Sequence, residues 1–176
     1  MSGLTPPIGP DDHVLGSRDA QIVLVEYGDY QCPHCGAAYP QLKTVQKAMG
    51  DRLLFVFRNF PLANLHPQAM RAANFAEAAA KDGRFWEMHD TIFENQRRLN
   101  DRSLIDYATK VGLKEDSVQA ALRGEFDAKI RQDFKSGVRS GVNGTPTLFV
   151  NGLRFEGAPE ADGLIDYFHG MTSTYS

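Results

Sequence analysis

Only two cysteines occur among the 176 residues, Cys32 and Cys35, and two residues separate them. They follow an uninterrupted apolar, β-branched run from Gln21 to Tyr27, and they precede a stretch with helical periodicity. A disulfide framework needs more cysteines at longer separations. A chain of this length can bury a core without covalent staples. The pair therefore reads first as redox chemistry and second as metal binding.

The run Gln21–Tyr27 suits a strand buried on both faces, and Gly28-Asp29 turns the chain towards the cysteines. From Pro33 to about Met49 the pattern predicts a helix with Ala37, Leu42, Val45 and Ala48 facing in. Pro33 stands in its first turn, where proline is tolerated, and Pro40 is expected to kink it. Leu53–Phe57 is a second buried strand, completing a right-handed βαβ unit. From about His66 to Ser140 every periodic segment is helical, with capping boxes expected at Ser103/Asp106 and Asp116/Gln119. One of these helices carries Phe126, Ile130, Phe134 and Val138 on a slowly drifting stripe. Strand signals return at Thr147–Val150, Asn151-Gly152 is a two-residue hairpin turn, and Pro159–Phe168 closes as a helix.

The expected architecture is α/β: a mixed central sheet flanked by helices, with an all-helical insertion at about 64–140 between the βαβ unit and a C-terminal ββα unit. This order of elements suggests a thioredoxin fold. A Pro/Gly-rich lead-in over residues 1–17 is expected to be flexible, with residues 18–176 as the folded domain.

Disulfide exchange needs one exposed thiolate near neutral pH and a second thiol close enough to close the ring. A C-x-x-C at a helix start meets both needs, because free backbone N–H groups and the helix dipole favour an anion at Cys32, and Cys35 lies one turn in. Pro33 sets the helix start, and the His34 ring is expected to favour the thiolate. Glu26 shares a strand face with Leu24 and Gly28. It is either a strand-end acid in solvent or a buried carboxylate beneath the cysteines, able to accept the Cys35 proton. Pro146 directly precedes a strand, and a cis Thr145–Pro146 bond there would present Thr145's backbone to an extended peptide beside Cys32.

The net charge of −3 and the scattered charges of both signs lack the basic face of a nucleic-acid protein. No apolar stretch approaches the ~20 residues of a membrane span. The first twenty residues carry no secretory signal; the expectation is a cytoplasmic protein, or a periplasmic one if a leader has been removed.

The run Glu26-Tyr27-Gly28-Asp29-Tyr30-Gln31-Cys32-Pro33-His34-Cys35 resembles the active-site segment of the DsbA-like thiol:disulfide oxidoreductases. Gly144-Thr145-Pro146-Thr147-Leu148-Phe149-Val150-Asn151-Gly152 is similar to their cis-proline strand and hairpin. Phe57–Leu62, His66-Pro67 and Phe85–His89 resemble the soluble single-domain branch, so the likeness runs from about Asp12 to Phe168. It implies Cys32 as attacking nucleophile, Cys35 as resolving thiol, a cis Thr145–Pro146 bond and Glu26 as the buried acid. It implies no cofactor and no metal. Its partners would be protein or peptide thiols and a redox partner: a membrane oxidase if the protein is exported, glutathione or a reductase if it is not. Thr145 before the proline is similar to disulfide isomerases and reductases, which leaves the direction of exchange open.

Two other readings compete. Cys32, Cys35 and His34 could hold zinc with His66 or His89, although a structural site takes four ligands and no second C-x-x-C is present. A non-catalytic peptide-binding module could line a groove with Phe75, Phe85, Trp86, Phe93 and Phe134, aromatics that read more simply as core. Trp86 and Met88 read as packing, His13 and His169 as solvated, and Tyr30 and Phe60 as flanks of the cysteine pair.

Overall fold

The computed structural model describes residues 3–173. Its strands are β1 (His13–Gly16), β2 (Ile22–Gly28), β3 (Leu53–Asn59), β4 (Thr147–Val150) and β5 (Leu153–Phe155). The helices are α1 (Pro33–Met49), α2 (Ala69–Lys81), α3 (Phe85–Glu94), α4 (Asp101–Val111), α5 (Glu115–Leu122), α6 (Asp127–Arg139) and α7 (Ala161–Ser173). The strands form one mixed sheet in the order β1-β3-β2-β4-β5. Only β2 and β3 are parallel, joined through α1; the other pairs are antiparallel. The five helices α2–α6 form the expected insertion.

β2 is central, so both of its faces are covered. Ile22 and Leu24 belong to the larger core cluster with α1, the insertion and α7. Val25 and Tyr27 belong to a smaller one with Val56, Phe60 and Phe149. The alternation of strand side chains therefore directs Glu26 towards α1. That helix buries Cys35, Ala38, Leu42, Val45 and Met49. Ala37 and Ala48, expected to face in, are exposed, because the inward stripe runs one position further along at its start and at its end. α2 buries nine of its residues, six of them alanines, and small side chains let neighbouring helices and the sheet close on it from all sides.

The N-terminal segment departs from expectation. Residues 1–17 are not simply a flexible lead-in: β1 lies within them and pairs with β3 from His13↔Phe57 to Gly16↔Leu54. An open edge of β3 would leave backbone groups unpaired. Arg58 adds a second reason. Its buried guanidinium bonds both Asp12 carboxylate oxygens, at 2.8 and 2.9 Å, and the carbonyls of Pro6 and Pro7. A buried cation requires such partners. His13 is accordingly not solvated: its ring stacks on Phe85 at 3.7 Å and its Nε2 meets Glu77 at 2.8 Å. His169 is exposed.

Two helix starts also differ. α4 is capped by Asn100, whose side chain accepts from the Ser103 N–H at 2.8 Å, so Ser103 lies inside the helix. α5 begins after Lys114, and Asp82, at the C-terminal end of α2, accepts from the Lys114 N–H and the Ser117 hydroxyl. A side chain distant in sequence thus does the work expected of a local capping box. The hairpin falls where the sequence puts it, with Asn151 and Gly152 both at positive φ (48° and 82°).

Candidate functional site

Gly28 closes β2 because no side chain fits there: a Cβ would lie 2.5 Å from the Phe57 ring. Asp29 then turns the chain, its Oδ1 accepting from the Gln31 and Cys32 N–H groups at 2.8 and 3.2 Å, the local bonding that makes Asp a turn former. Cys32 is the N-cap of α1 in extended conformation (φ −68°, ψ 123°), and Pro33 occupies the first turn. Cys32 is 4% exposed and Cys35 fully buried. Both are free thiols.

The surroundings separate the two sulfurs chemically. A hydrogen bond from the Cys35 thiol does most to lower the Cys32 pKa to about 5, against the effect of partial burial, with further help from Thr145 and from the backbone N–H groups of Cys35 and His34. These are the free N–H groups of a helix start. Burial pushes Cys35 well up, reinforced by its bond to Cys32 and by the charge of Glu26. The Asp29 N–H reaches the Cys35 sulfur at 3.5 Å. His34 contributes through its backbone: its ring is exposed in the cleft beside the cysteines.

Glu26 is buried at 2% exposure, and its Oε2 has no hydrogen-bond partner. Burial first, and the Cys32 charge second, raise its pKa to about 8. Of the two alternatives for this acid, the structure places it inside, on the α1 side of the sheet.

The Thr145–Pro146 bond is cis, and the Cys32 thiol donates to the Thr145 carbonyl at 3.6 Å. Beside the cysteines opens a cleft of about 630 Å³ lined by His34, Gln41, Thr145, Pro146 and, on its far wall, Pro159 and Glu160. Cys32, Cys35, His34, Pro33, Glu26, Thr145 and Pro146 thus come from three separate stretches of chain to one place.

Further residues, none of them expected to serve the exchange, complete the site. The second Asp29 oxygen accepts from the Leu62 N–H at 2.8 Å and meets His66 Nδ1 at 2.7 Å. Gln31 accepts from the Gln68 N–H at 2.7 Å. Gln96 donates to the Tyr30 and Cys32 carbonyls at 3.0 and 2.7 Å. The available signals were the His66-Pro67 pair and the helical spacing that sets Gln96 on one stripe with Phe85, His89, Ile92 and Phe93, but neither names its partner.

The zinc reading loses its ligands. His66 is engaged by Asp29, and His89 is buried against the Tyr30 hydroxyl at 2.9 Å. Among the described residues no three His, Cys, Asp or Glu side chains are grouped to hold a metal. The aromatics proposed for a peptide groove are mostly core: Phe75, Phe85 and Phe93 are buried, Trp86 donates to the Val14 carbonyl at 2.8 Å, and Phe134 stacks on Phe60 at 4.3 Å. Phe60 lies in the cluster on the opposite sheet face from the cysteines, so only Tyr30, packed with Cys32 and Cys35, flanks them.

The fold is that of the thioredoxin class. A thioredoxin family profile matches residues 9–167. A thioredoxin-like oxidoreductase from Silicibacter pomeroyi superposes with a TM-score of 0.81 at 26% identity, over 94% of each chain. Oxidised BdbD from Bacillus subtilis does so with a TM-score of 0.80 at 25% identity, over 90% of this chain and 91% of BdbD. The protein belongs to the thioredoxin family. Among curated proteins, Na(+)/H(+) antiporter NhaA 1 of Mycolicibacterium vanbaalenii is 40% identical over 166 residues, 92% of this chain but 27% of the antiporter. NhaA 3 of Salinispora tropica is 41% identical over 165 residues, 92% of this chain and 25% of that protein. The chain thus spans about a quarter of the length of these relatives, and no helix among its described residues is long and apolar enough to cross a membrane.

Proposed function

We propose that the protein exchanges disulfides with protein or peptide thiols through a mixed disulfide at Cys32, which Cys35 resolves. The observation that carries this reading is the opposite displacement of the two thiols: Cys32 is a thiolate near neutral pH, whereas Cys35 holds its proton. Only the thiolate is nucleophilic. With the protein as a disulfide, a substrate thiolate attacks the Cys32 sulfur and Cys35 leaves as its thiolate; a second substrate thiolate then attacks the joined substrate sulfur and releases Cys32, so the substrate gains a disulfide as the protein is reduced. In the reverse direction the Cys32 thiolate attacks a substrate disulfide and releases one substrate thiolate, and Cys35 attacks the Cys32 sulfur, releasing the other and closing the Cys32–Cys35 disulfide. For that step Cys35 must lose its proton, and Glu26 is the buried base on the same side of the sheet. Thr145 and Pro146 hold the substrate backbone beside Cys32, and the cleft beyond them receives its side chains.

A stabilised Cys32 thiolate stabilises the dithiol, so the disulfide form is an oxidant. The reading is therefore of a disulfide donor working in an oxidising compartment, recharged by a redox partner. The test is a pair of variants assayed by oxidative refolding of a reduced substrate protein. Cys32→Ser abolishes turnover, and Cys35→Ser accumulates a substrate adduct visible by mass spectrometry. Full activity in Cys32→Ser refutes the mechanism.

A further inference from the structure

An N-cap ordinarily holds its helix start with its own side chain, a Ser, Thr, Asp or Asn oxygen accepting a first-turn N–H. Here the cap is Cys32, and it makes no side-chain cap bond. Its sulfur has to stay available for reaction, so the start of α1 needs an anchor from elsewhere. Both backbone polar groups of Cys32 are held from outside the helix. Asp29 takes its N–H. Its carbonyl, already the acceptor of the first helical bond from the Gly36 N–H at 3.0 Å, also takes a bond of 2.7 Å from Gln96 Nε2.

We infer that Gln96, resting on the exchange reading above, is a positioning residue of the cysteine pair: its amide reaches from beyond the end of α3 to hold the carbonyls of Tyr30 and Cys32, and so fixes the turn from which the Cys32 sulfur projects. Both of its N–H hydrogens are used, one for each carbonyl, at 3.0 and 2.7 Å. Two carbonyl partners require the nitrogen, not the oxygen, on this side, which fixes the orientation of the amide. Its oxygen lies over the first turn of α1, where a Cβ on Gly36 would strike it. Gly36 is thus the residue that lets the insertion reach the active-site turn. Through Gln96 the insertion acts on the reacting sulfurs at one remove.

The experiment is equilibration of the Cys32–Cys35 couple with glutathione buffers, read by alkylation and mass spectrometry, for three single variants and one double. Gln96→Met keeps the length of the side chain and removes its donors. Gly36→Ala keeps the glutamine and displaces its amide. Each is expected to shift the equilibrium about tenfold towards the disulfide, a loss of about 30 mV in oxidising power. The double variant is expected to move no further than the larger single one, because both break the same bonds. Asn95→Ala removes the neighbouring bond to the Thr91 carbonyl, which loosens the same end of α3, and leaves the couple unmoved. A Gln96→Met equilibrium within about twofold of wild type, additive single shifts, or an equal shift in Asn95→Ala would each overturn the assignment. Should Gln96→Met fail to fold, Gly36→Ala still decides. No protein substrate enters this measurement, so its failure leaves the exchange reading intact, and an active Cys32→Ser variant would sink that reading without altering the result here.

Discussion

Glu26 is a carboxyl group whose pKa lies at about 8 in the folded dithiol, against 4.5 for an ordinary glutamate. Between those two values the unfolded chain has lost the proton and the folded protein has kept it. Stability therefore falls as pH rises through this window. The penalty is about 0.8 kcal/mol at about pH 5 and about 3.3 kcal/mol at about pH 7, from 1.36 kcal/mol per pKa unit. Glu26→Gln has the same shape and no charge to bury. Whatever the amide gains or loses by packing is independent of pH and cancels when two pH values are compared. Urea denaturation of the reduced protein is expected to show the stability of Glu26→Gln, relative to wild type, rising by about 2.5 kcal/mol between about pH 5 and about pH 7. A difference that stays constant to within about 0.5 kcal/mol would mean that Glu26 titrates like a solvated acid, and the proton acceptor for Cys35 would have to be sought elsewhere.

Three more outcomes follow from the same geometry. The ultraviolet absorbance of the Cys32 thiolate should titrate with a midpoint of about 5 in wild type, and a midpoint in the ordinary thiol range would remove the basis for calling the couple an oxidant. Asp29→Ala strands the N–H groups of Gln31 and Leu62 and the His66 ring, and should lower stability by about 3 kcal/mol in denaturant titration. Gly137→Ala improves helix propensity, by up to about 1 kcal/mol, yet should destabilise by about 1–3 kcal/mol because its methyl would sit 2.6 Å from the Phe60 ring; a rise in melting temperature would show that the ring can give way.

Much of this protein was legible along the chain because its signals are local. The β-branched run into Gly28, the proline in the first turn after Cys32 and the Asn151-Gly152 turn each act on their own few residues, and the elements they mark lie within a few positions of expectation. The helix starts at Asn100 and Lys114 were less legible. The first cap was a near neighbour of the residue expected, and the second came from Asp82, more than thirty positions away.

The face on which Glu26 lies, the anchoring of residues 1–17 and the partners of Asp29 belong to another kind of determination. Each depends on which distant group fills a site that burial has closed to water. Arg58 needs Asp12, two prolyl carbonyls and the Tyr27 hydroxyl because a buried guanidinium has no water to bond. Asp29 needs Leu62 and His66 for the second of its oxygens. Gln96 finds the Cys32 carbonyl only because Gly36 leaves room. The sequence by itself determined the pair of sulfurs at a helix start, since a strand, a turn and a proline are enough to build it. The tertiary structure decided how far apart the two thiols are driven, because the burial that raises Cys35 and the Thr145 contact at Cys32 come from segments far away along the chain.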